Sequence, residues 1–556
     1  MLNCDGSEIL HVDSLQNCSI LGLFGRQGKV FIFRLPNPIL LDYHMRRIAL
    51  LLAVLGTSFV STTAHAQGVP CVAGKIVSPV SGAEYPCHGV TLLGHVLPVD
   101  MGQAIRLNDI WGWSDSESSL EVVLSGWADG VSVIDVTDPS SPKYIALIPK
   151  TAGTLGSSWR DIKVYKNYAF IVSEASGHGV QVVDLSELRG NTGARQVLLP
   201  VVTYTEVNRA HNIVINEETG FAYAVGTRGG QSCGSGLHAI DISTTTAPTF
   251  AGCVADVRAG GGYTHDAQCV VYHGPDQDHV GKEMCFASNA NAISIIDVSV
   301  KSDPKYLGIG SYANSQYVHQ AWLSEDHKYL FQNDELDENR GAVTNTRTLV
   351  WDVIDLDDPI LAVEFLSANT SIDHNMYVKD NLLYQSNYID GLHVLDISDP
   401  LNISEKAFFD TYPENFGIIW DGSWSNFPYL RSGAVAIASH PQGVFIVCID
   451  PNVCSGSAVE TDEEIELPLG VELEPAYPNP FNPSTTIGFK LPEATTVRVS
   501  VSDALGREVA VLVKSQLMAA GKHLVQFEGS SLPSGTYLVR LDANGIIKTR
   551  QIVLLK

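Results

Sequence analysis

Four histidines recur along the chain at nearly equal intervals. His211, His265, His319 and His374 are separated by 54, 54 and 55 residues. Neutral imidazoles that converge on one point suit zinc, copper, iron or nickel, and a nearby carboxylate can orient them. The same groups could instead hold a small anionic or sugar-like ligand, or line a wet channel whose polar groups satisfy one another and water. The sequence leaves these three interpretations open.

Other polar residues occupy the same phase of the repeat. Arg160 and Asp161 stand one interval before His211, and Asp266 follows His265. The predicted site, for a divalent metal or a small ligand, therefore consists of Arg160, Asp161, His211, His265, Asp266, His319 and His374. Because metal–ligand distances are about 2 Å, two neighbouring histidines are easier to join through one ion than all of them.

An acidic loop offers a second candidate site. Asp334, Glu335 and Asp337 supply carboxylate oxygens, which are the ligands that calcium prefers. Their spacing departs from the Asp-x-Asp-x-Asp-Gly pattern of calcium loops. A solvated acidic loop is therefore the favoured interpretation, and a calcium site is the alternative.

Several familiar catalytic motifs are absent from the sequence, including His-Glu-x-x-His and the Walker loop. His178, His238 and His393 lie outside the phase of the four histidines and are predicted to be surface or loop residues. We therefore favour a non-catalytic module that binds a protein, a glycan or a small ligand. The alternatives are a metal-dependent extracellular hydrolase or lyase that uses the histidines, and a structural surface or adhesion component.

A ten-residue unit, GLHVLDISDP, begins at Gly391 and is repeated through most of the chain. Related segments begin at Gly130, Gly179, Gly236, Ala292, Thr348 and Gly443. An aspartate near the end of most copies is predicted to cap the turn that follows it. These residues are Asp135, Asp184, Asp241, Asp297 and Asp396.

Each copy closes a unit of four short β patterns rich in β-branched and aromatic residues. Four strands at a period of about 50 residues predict a propeller blade, and seven copies predict a closed ring. The predicted fold is all-β, with a seven-bladed β-propeller over residues 90–453 followed by a small C-terminal β-sandwich. The seventh unit lacks a fourth strand, which residues 90–96 are predicted to supply beside residues 443–449. The first strand of each blade lines the channel, which is where the candidate site would lie.

Composition excludes one class of partner. The chain has 35 basic and 61 acidic residues, a formal net charge of −26, and 45% hydrophobic residues. It is therefore a folded protein with an anionic surface that repels phosphate backbones, and nucleic acid is not an expected partner.

The start of the chain has the pattern of a signal peptide. Met45-Arg46-Arg47 is basic, residues 48–60 are apolar, and Ala64-His65-Ala66 resembles a cleavage site. We expect residues 45–66 to be the signal peptide and residues 1–44 to be an upstream extension from a misplaced start codon. Residues 67–89 would form an N-terminal segment that contains cysteines. The apolar run is too short to cross a membrane, so no transmembrane span is expected after signal removal.

Cysteine usage agrees with export. The expected mature chain holds an even number of cysteines, as is typical of an oxidised exported protein. Their order suggests the pairs Cys71 with Cys87, Cys233 with Cys253, Cys269 with Cys285, and Cys448 with Cys454. Free buried thiols are the alternative.

The end of the chain has a different organisation. Residues 454–474 are rich in acidic residues and are predicted to be a flexible linker. Residues 475–556 contain alternating runs separated by Gly, Pro and Asn-Gly, which predict a small antiparallel sandwich.

This last segment closely resembles the C-terminal sorting domain of type IX secretion cargo. The resemblance rests on YPNPFNP at 477–483, DALGR at 503–507, LPSGTY at 532–537 and the final residues 548–556. It implies that the type IX machinery is a partner. It also implies export across the outer membrane of a bacterium, either into the medium or onto the cell surface, often with removal of the domain.

The repeat region resembles the LVIVD-repeat proteins of the choice-of-anchor B family. Besides the repeats, the matching segments are DIWGW at 109–113, SWRDIK at 158–163, SEASGHG at 173–179, YTHDAQC at 263–269 and DELDE at 334–338. This resemblance implies the propeller fold and a surface location. It implies no agreed substrate or reaction.

Overall fold

The computed structural model describes residues 68–102, 106–191, 194–415, 417–450, 454, 471–473, 476, 479, 481–492, 495–503, 505–518, 521–530 and 532–556. The predicted upstream extension and signal peptide, residues 1–44 and 45–66, lie outside the described residues, as does most of the predicted linker. Strands dominate the described part of the chain, which is all-β as predicted.

Seven sheets each contain four antiparallel strands, arranged as in the blades of a β-propeller. Blade 1 comprises Leu107–Ser114, Glu121–Trp127, Gly130–Asp135 and Lys143–Pro149. Blade 2 comprises Arg160–Tyr165, Tyr168–Ser173, Val180–Asp184 and Val202–Tyr204. Blade 3 comprises Asn212–Asn216, Phe221–Val225, Leu237–Asp241 and Thr249–Val254. Blade 4 comprises Asp266–Val271, Glu283–Ser288, Ile293–Asp297 and Lys305–Gly310. Blade 5 comprises Val318–Leu323, Tyr329–Asp334, Arg347–Asp352 and Ile360–Leu366. Blade 6 comprises Met376–Lys379, Leu382–Ser386, Leu392–Asp396 and Ser404–Phe409. Blade 7 comprises Gly422–Phe427, Val435–His440, Gly443–Cys448 and Thr91–Val96.

Short elements decorate these blades. Lys75–Val77 and Glu84–His88 extend the outer edge of blade 6, Gln196–Val197 pairs in parallel with the last strand of blade 1, and Val69–Pro70 borders Thr91–Val96. Val207–Arg209 and Arg228–Gly230 form a separate pair. The 3-10 turns are Pro98–Met101, Leu185–Leu188, Cys233–Ser235 and Gly260–Gly262.

The ring is closed by strands from two distant parts of the chain. Thr91–Val96 pairs antiparallel with Gly443–Cys448, with Val96 opposite Val444 and Thr91 opposite Cys448. The strand is held by apolar burial as well as by its ladder, because Leu92 is 2% exposed. The predicted pairing of residues 90–96 with residues 443–449 is confirmed, and this edge of blade 7 is covered.

Adjacent blades pack face to face through β-branched and small side chains. Val122 and Ile145 of blade 1, for example, share one buried cluster with Ile162 and Ala169 of blade 2. Similar clusters join the other neighbouring blades. The hydrophobic core is therefore divided into wedges around the channel.

The repeat aspartates cap turns, as predicted. In each case a side-chain oxygen accepts a hydrogen bond from the backbone N–H two residues later, at 2.9 to 3.0 Å. The residues are Asp135, Asp184, Asp241, Asp297 and Asp396. The aspartate of the repeat is therefore a structural residue.

The four predicted disulfides are also confirmed. They join Cys71 to Cys87, Cys233 to Cys253, Cys269 to Cys285 and Cys448 to Cys454. Cys269 and Cys285 lie on the first two strands of blade 4. The first of the four bridges lies within the N-terminal segment, and it ties Cys71 to the strand Glu84–His88 that pairs with the outer edge of blade 6.

Residues from 471 onward form two further sheets. One contains Glu472–Leu473, Ser484–Leu491 and Gly521–Glu528, and the other contains Glu508–Met518, Thr495–Asp503, Gly535–Ala543 and Ile546–Leu554. Both contribute to one hydrophobic core, which includes Phe489, Val499, Leu541 and Ile552. This is the arrangement of a small β-sandwich.

Substitution of Gly94 tests the closure of the ring. A Cβ atom at this position would lie 2.5 Å from the carbonyl oxygen of Pro139 and 2.7 Å from the Pro142 ring in blade 1. Although valine favours strands, we expect Gly94→Val to lower the free energy of unfolding of the propeller by about 1–3 kcal/mol through overpacking. Gly535→Val is the matched control, because a Cβ there meets nothing within 4 Å. Equal unfolding curves for both variants would contradict this account of the closure.

An ion pair between blades 1 and 2 should make stability depend on pH. The Arg189 guanidinium donates to both oxygens of the fully buried Asp115, at 2.7 and 2.9 Å, and lowers the pKa of that carboxyl to about 2. Since the folded pKa lies below the ordinary 3.8, the stabilisation is present above that pH and is lost as the pH falls toward 2. We expect Asp115→Asn to cost up to about 2 kcal/mol at pH 7 and progressively less below pH 4.

The measurement is urea denaturation of both proteins across this pH range. Glu117→Gln is the control, because Glu117 contacts the same arginine but is 66% exposed. An exposed pair contributes little, so this variant should unfold almost like the native protein. A stability gap for Asp115→Asn that does not change with pH would show that its ionisation is not the cause.

Candidate functional site

The first strands begin at the channel, and in some blades this start is irregular. In blade 5, Val318 pairs with Asp334 and Ala321 with Gln332, so His319 and Gln320 together stand opposite one residue. Blades 1 and 7 show similar shifts near the same position. His319 lines a cavity at one end of the channel, and Gln320 lines a second cavity toward the other. His265 and Asp266 of blade 4 divide between the two cavities in the same way without a bulge.

The four histidines form an arc around the first end of the channel. Ring centroids lie 4.3 Å apart between His211 and His265, 4.3 Å between His265 and His319, and 4.4 Å between His319 and His374. They line a small cavity of about 20 Å³, roughly the space of one water molecule, together with Arg160 and other polar residues. The structure thus brings the four phased histidines together. We call them the histidine arc.

Backbone contacts orient these rings. Nδ1 of His265 donates to the carbonyl oxygen of His319 at 2.9 Å, and Nδ1 of His374 donates to that of Trp424 at 2.5 Å. A carbonyl only accepts, so Nδ1 carries the proton and Nε2 keeps its lone pair. Burial lowers the pKa of His374 to about 3 and that of His265 well below its ordinary value, so both rings are neutral at pH 7.

Glu335 faces the histidine arc. Its Oε1 lies 3.5 Å from Nε2 of His374, and its Oε2 lies 3.9 Å from Nε2 of His319. Tyr388 donates to Oε1 at 2.8 Å, while burial raises the pKa of Glu335 to about 7. Among the described residues this is the one set of three His, Cys, Asp or Glu side chains whose ligand atoms lie within 4.8 Å of one another.

The other carboxylates of the predicted calcium loop have different partners. Asp334 accepts hydrogen bonds from the Tyr312 hydroxyl at 2.5 Å and from two backbone amides. Asp337 is buried in an ion pair with Arg347 at 2.8 Å. The structure therefore does not bring Asp334, Glu335 and Asp337 into a common set of ligands. Glu335 joins the histidines instead.

Arg160 is held by protein groups. Its Nη1 donates to Nε2 of His178 at 2.7 Å, and its Nε donates to the carbonyl oxygen of Trp127 at 3.1 Å. His178, predicted to be a surface or loop residue, lies in the loop between Tyr168–Ser173 and Val180–Asp184, and its side chain is fully buried there. The same prediction was wrong for His238 and His393, which are 0% and 6% exposed, because they lie on third strands between blades.

A second layer of polar side chains crosses the channel beneath the histidine arc. Lys163 Nζ lies 2.7 Å from Asp161 and 3.5 Å from Asp109, and Gln320 donates to Asp266 at 3.0 Å. Burial raises the pKa of Asp266 to about 6 and that of Asp109 well above its usual range. Asp161 and Asp266, predicted as ligand residues, therefore lie in this structural layer. We call it the polar girdle.

A larger cavity lies beyond the girdle, and sequence reasoning missed it. It has a volume of about 690 Å³ and is lined by residues of all seven blades. Its walls include Trp111, Trp322 and Phe427, each three residues after a position in the histidine phase. That offset was the signal available in the sequence. We call this cavity the wide pocket.

One spacing typical of a catalytic serine was also missed. Residues 230–234 read Gly-Gln-Ser-Cys-Gly, which matches Gly-x-Ser-x-Gly. The nucleophile elbow requires a strand that turns directly into a helix. Here the serine, Ser232, precedes the short turn Cys233–Ser235, and Cys233 is bonded to Cys253. The match therefore has no catalytic context.

Two families match parts of the chain. Residues 156–188 and 375–411, which cover strands of blades 2 and 6, match the LVIVD repeat, and residues 475–555 match a secretion system C-terminal sorting domain. This is an LVIVD-repeat protein with a type IX sorting domain. The sorting domain indicates that this LVIVD-repeat protein is exported and is either secreted or attached to the cell surface. In the described residues, no helix is both long and apolar enough to cross a membrane.

Solved structures show only distant likeness to this LVIVD-repeat protein. A protein from Lactobacillus plantarum is 12% identical over 76% of this chain and 100% of its own, with a TM-score of 0.39. A functionally unknown protein from Desulfotomaculum acetoxidans is 16% identical over 52% and 83%, with a TM-score of 0.37. The C-terminal WD40 domain of Sif2 is 9% identical over 65% and 98%, with a TM-score of 0.39. Curated proteins gave no match.

Lys163 is the counter-charge of the polar girdle, and its removal is a test of that layer. Its side chain is 14% exposed, and those of Asp109 and Asp161 are 4% and 5% exposed. Lys163→Met leaves the buried Asp161 carboxylate without its cation, and we expect the free energy of unfolding to fall by about 3–5 kcal/mol. The double variant Lys163→Met with Asp161→Asn should recover part of the loss in urea denaturation. No recovery would mean that packing, not charge, causes it.

Proposed function

We propose that this exported propeller binds a neutral saccharide in the wide pocket. The observation that carries the proposal is the cavity of about 690 Å³, which falls within the range of small-ligand sites. The histidine arc encloses only about 20 Å³ and has no room for an organic ligand.

One side of the wide pocket is aromatic. Trp322 of blade 5 and Trp111 of blade 1 are partly exposed there, and buried Tyr377 lies between them, with ring centroids 4.9 and 5.6 Å away. Phe427 and Tyr429 of blade 7 continue the wall. Flat, rigid rings of this kind offer a large apolar contact at little entropic cost.

Blades 2 to 4 contribute polar groups to the cavity. Asn216 and Gln268 line it, Glu217 and Glu218 lie exposed near them, and Lys163 Nζ lies over the Trp111 ring, 4.4 Å from its centroid. The Nδ2 amide of Asn216 is buried and has no hydrogen-bond partner among the described residues. The cavity therefore offers hydrogen-bonding groups as well as an aromatic wall.

This combination matches a sugar ring. A pyranose has apolar C–H faces, which pack on aromatic rings, and hydroxyl groups around its edge, which require donors and acceptors. The charge of Lys163 is neutralised by Asp161 and Asp109, so an uncharged ligand fits better than an anion. Glycans also occur where an exported protein works.

The experiment is a binding measurement with glucose, mannose, galactose, N-acetylglucosamine and their oligomers. Calorimetry and tryptophan fluorescence should both detect binding of at least one neutral sugar. Trp322→Ala removes part of the aromatic wall and is expected to weaken that binding about tenfold or more, since a buried aromatic contact contributes at least 1.4 kcal/mol.

Trp159→Ala is the matched control. Trp159 is 46% exposed and lines the small cavity at the other end of the channel, so its loss should leave sugar affinity unchanged. The proposal fails if no sugar binds, or if the two tryptophan variants lose affinity equally while both remain folded by circular dichroism.

A further inference from the structure

We propose that His319, His374 and Glu335 form a binding site for a divalent first-row transition metal, of which zinc is the test ion. The site lies at the histidine end of the channel. It is separate from the wide pocket and does not depend on the proposed sugar binding.

The distances suit a single ion. The two Glu335 oxygens lie 3.5 and 3.9 Å from the Nε2 atoms of His374 and His319. Two ligands at about 2.1 Å from a tetrahedral zinc ion stand about 3.4 Å apart. The three ligand atoms all lie within 4.8 Å of one another, so side-chain shifts would bring them to coordination distance without a change of the backbone.

Two of the three ligands are oriented by neighbouring groups. The Trp424 carbonyl holds Nδ1–H of His374, which directs the Nε2 lone pair toward Glu335. The Tyr388 hydroxyl holds Glu335 at 2.8 Å. Metal-binding histidines and carboxylates are characteristically fixed by such outer contacts.

His319 is the observation that points to a missing ligand. Its side chain is 2% exposed, and its Nδ1 atom is buried without a hydrogen-bond partner. Its Nε2 lies 3.9 Å from Glu335, beyond hydrogen-bond distance. Nε2 is thus buried without a hydrogen bond, which costs free energy, and coordination of an ion at Nε2 would offset that cost although Nδ1 would stay unpaired.

The donor set selects the class of metal. Two neutral imidazoles and one carboxylate suit zinc and its neighbours in the first transition row, whereas calcium and magnesium prefer oxygen ligands only. Three protein ligands leave a fourth position open, as in sites where zinc also binds water. His265, whose ring centroid lies 4.3 Å from that of His319, is the nearest further nitrogen ligand.

The experiment uses the protein purified without an oligohistidine tag and stripped of metal with a chelator. Titration with zinc chloride in a calorimeter is expected to show one equivalent bound, and zinc should raise the melting temperature. Glu335→Gln and His374→Ala remove a ligand and should weaken zinc binding at least about 100-fold. Tyr388→Phe should weaken it about tenfold, as expected for an outer contact.

His273→Ala is the control for adventitious binding, because His273 is 59% exposed on blade 4 and should leave the affinity unchanged. Melting of each metal-free variant verifies that it folds, and the conservative Glu335→Gln keeps the test valid if a histidine variant does not. The proposal is overturned if less than a tenth of an equivalent binds, or if folded Glu335→Gln and His374→Ala bind zinc like the native protein. Trp322→Ala should bind zinc normally, which separates this result from the sugar experiment.

Discussion

Side chains that reach from one blade to the backbone of the next are the contacts on which this propeller depends. Backbone hydrogen bonds stay largely within blades, so the channel-facing amides of the first strands need other acceptors. Asp161 of blade 2 accepts from the N–H of Ile213 in blade 3, and Gln268 of blade 4 accepts from Leu323 in blade 5. Gln320 in turn accepts from Met376 in blade 6. These polar contacts set the spacing of blades that are otherwise joined by apolar wedges.

The girdle also divides the channel by chemistry. Because its carboxylates and amides are used by neighbouring blades and by Lys163, few of their oxygens remain for a ligand. In the described part of the channel, the groups that keep a donor, an acceptor or a lone pair for a ligand therefore lie above and below the girdle. Above, imidazole nitrogens line a cavity the size of an ion or a water molecule, and Glu335 faces two of these histidines. Below, aromatic rings and amides face a cavity the size of a sugar.

The repeat made most of the fold predictable, since equal spacing in the sequence becomes equal position in a ring. The phase of His211, His265, His319 and His374 predicted their convergence for the same reason. Glu335 was assigned to another site, because a residue that follows a second strand has no fixed offset from the first-strand phase. The wide pocket was missed because no single residue type marks its wall. The positions equivalent to Trp111 and Trp322 carry other residue types in other blades.

The strand that closes the ring also sets an order of events during folding. His95 of Thr91–Val96 contacts the carbonyl oxygen of Gln442 across 347 residues of sequence, so this strand cannot pair until almost the whole propeller sequence is present. Loop closure over such a distance is entropically costly and slow. Closure of the ring is therefore a late step of folding. Until it occurs, the edges of Thr91–Val96 and Gly443–Cys448 that pair in the folded ring leave backbone groups unpaired, and such edges promote aggregation.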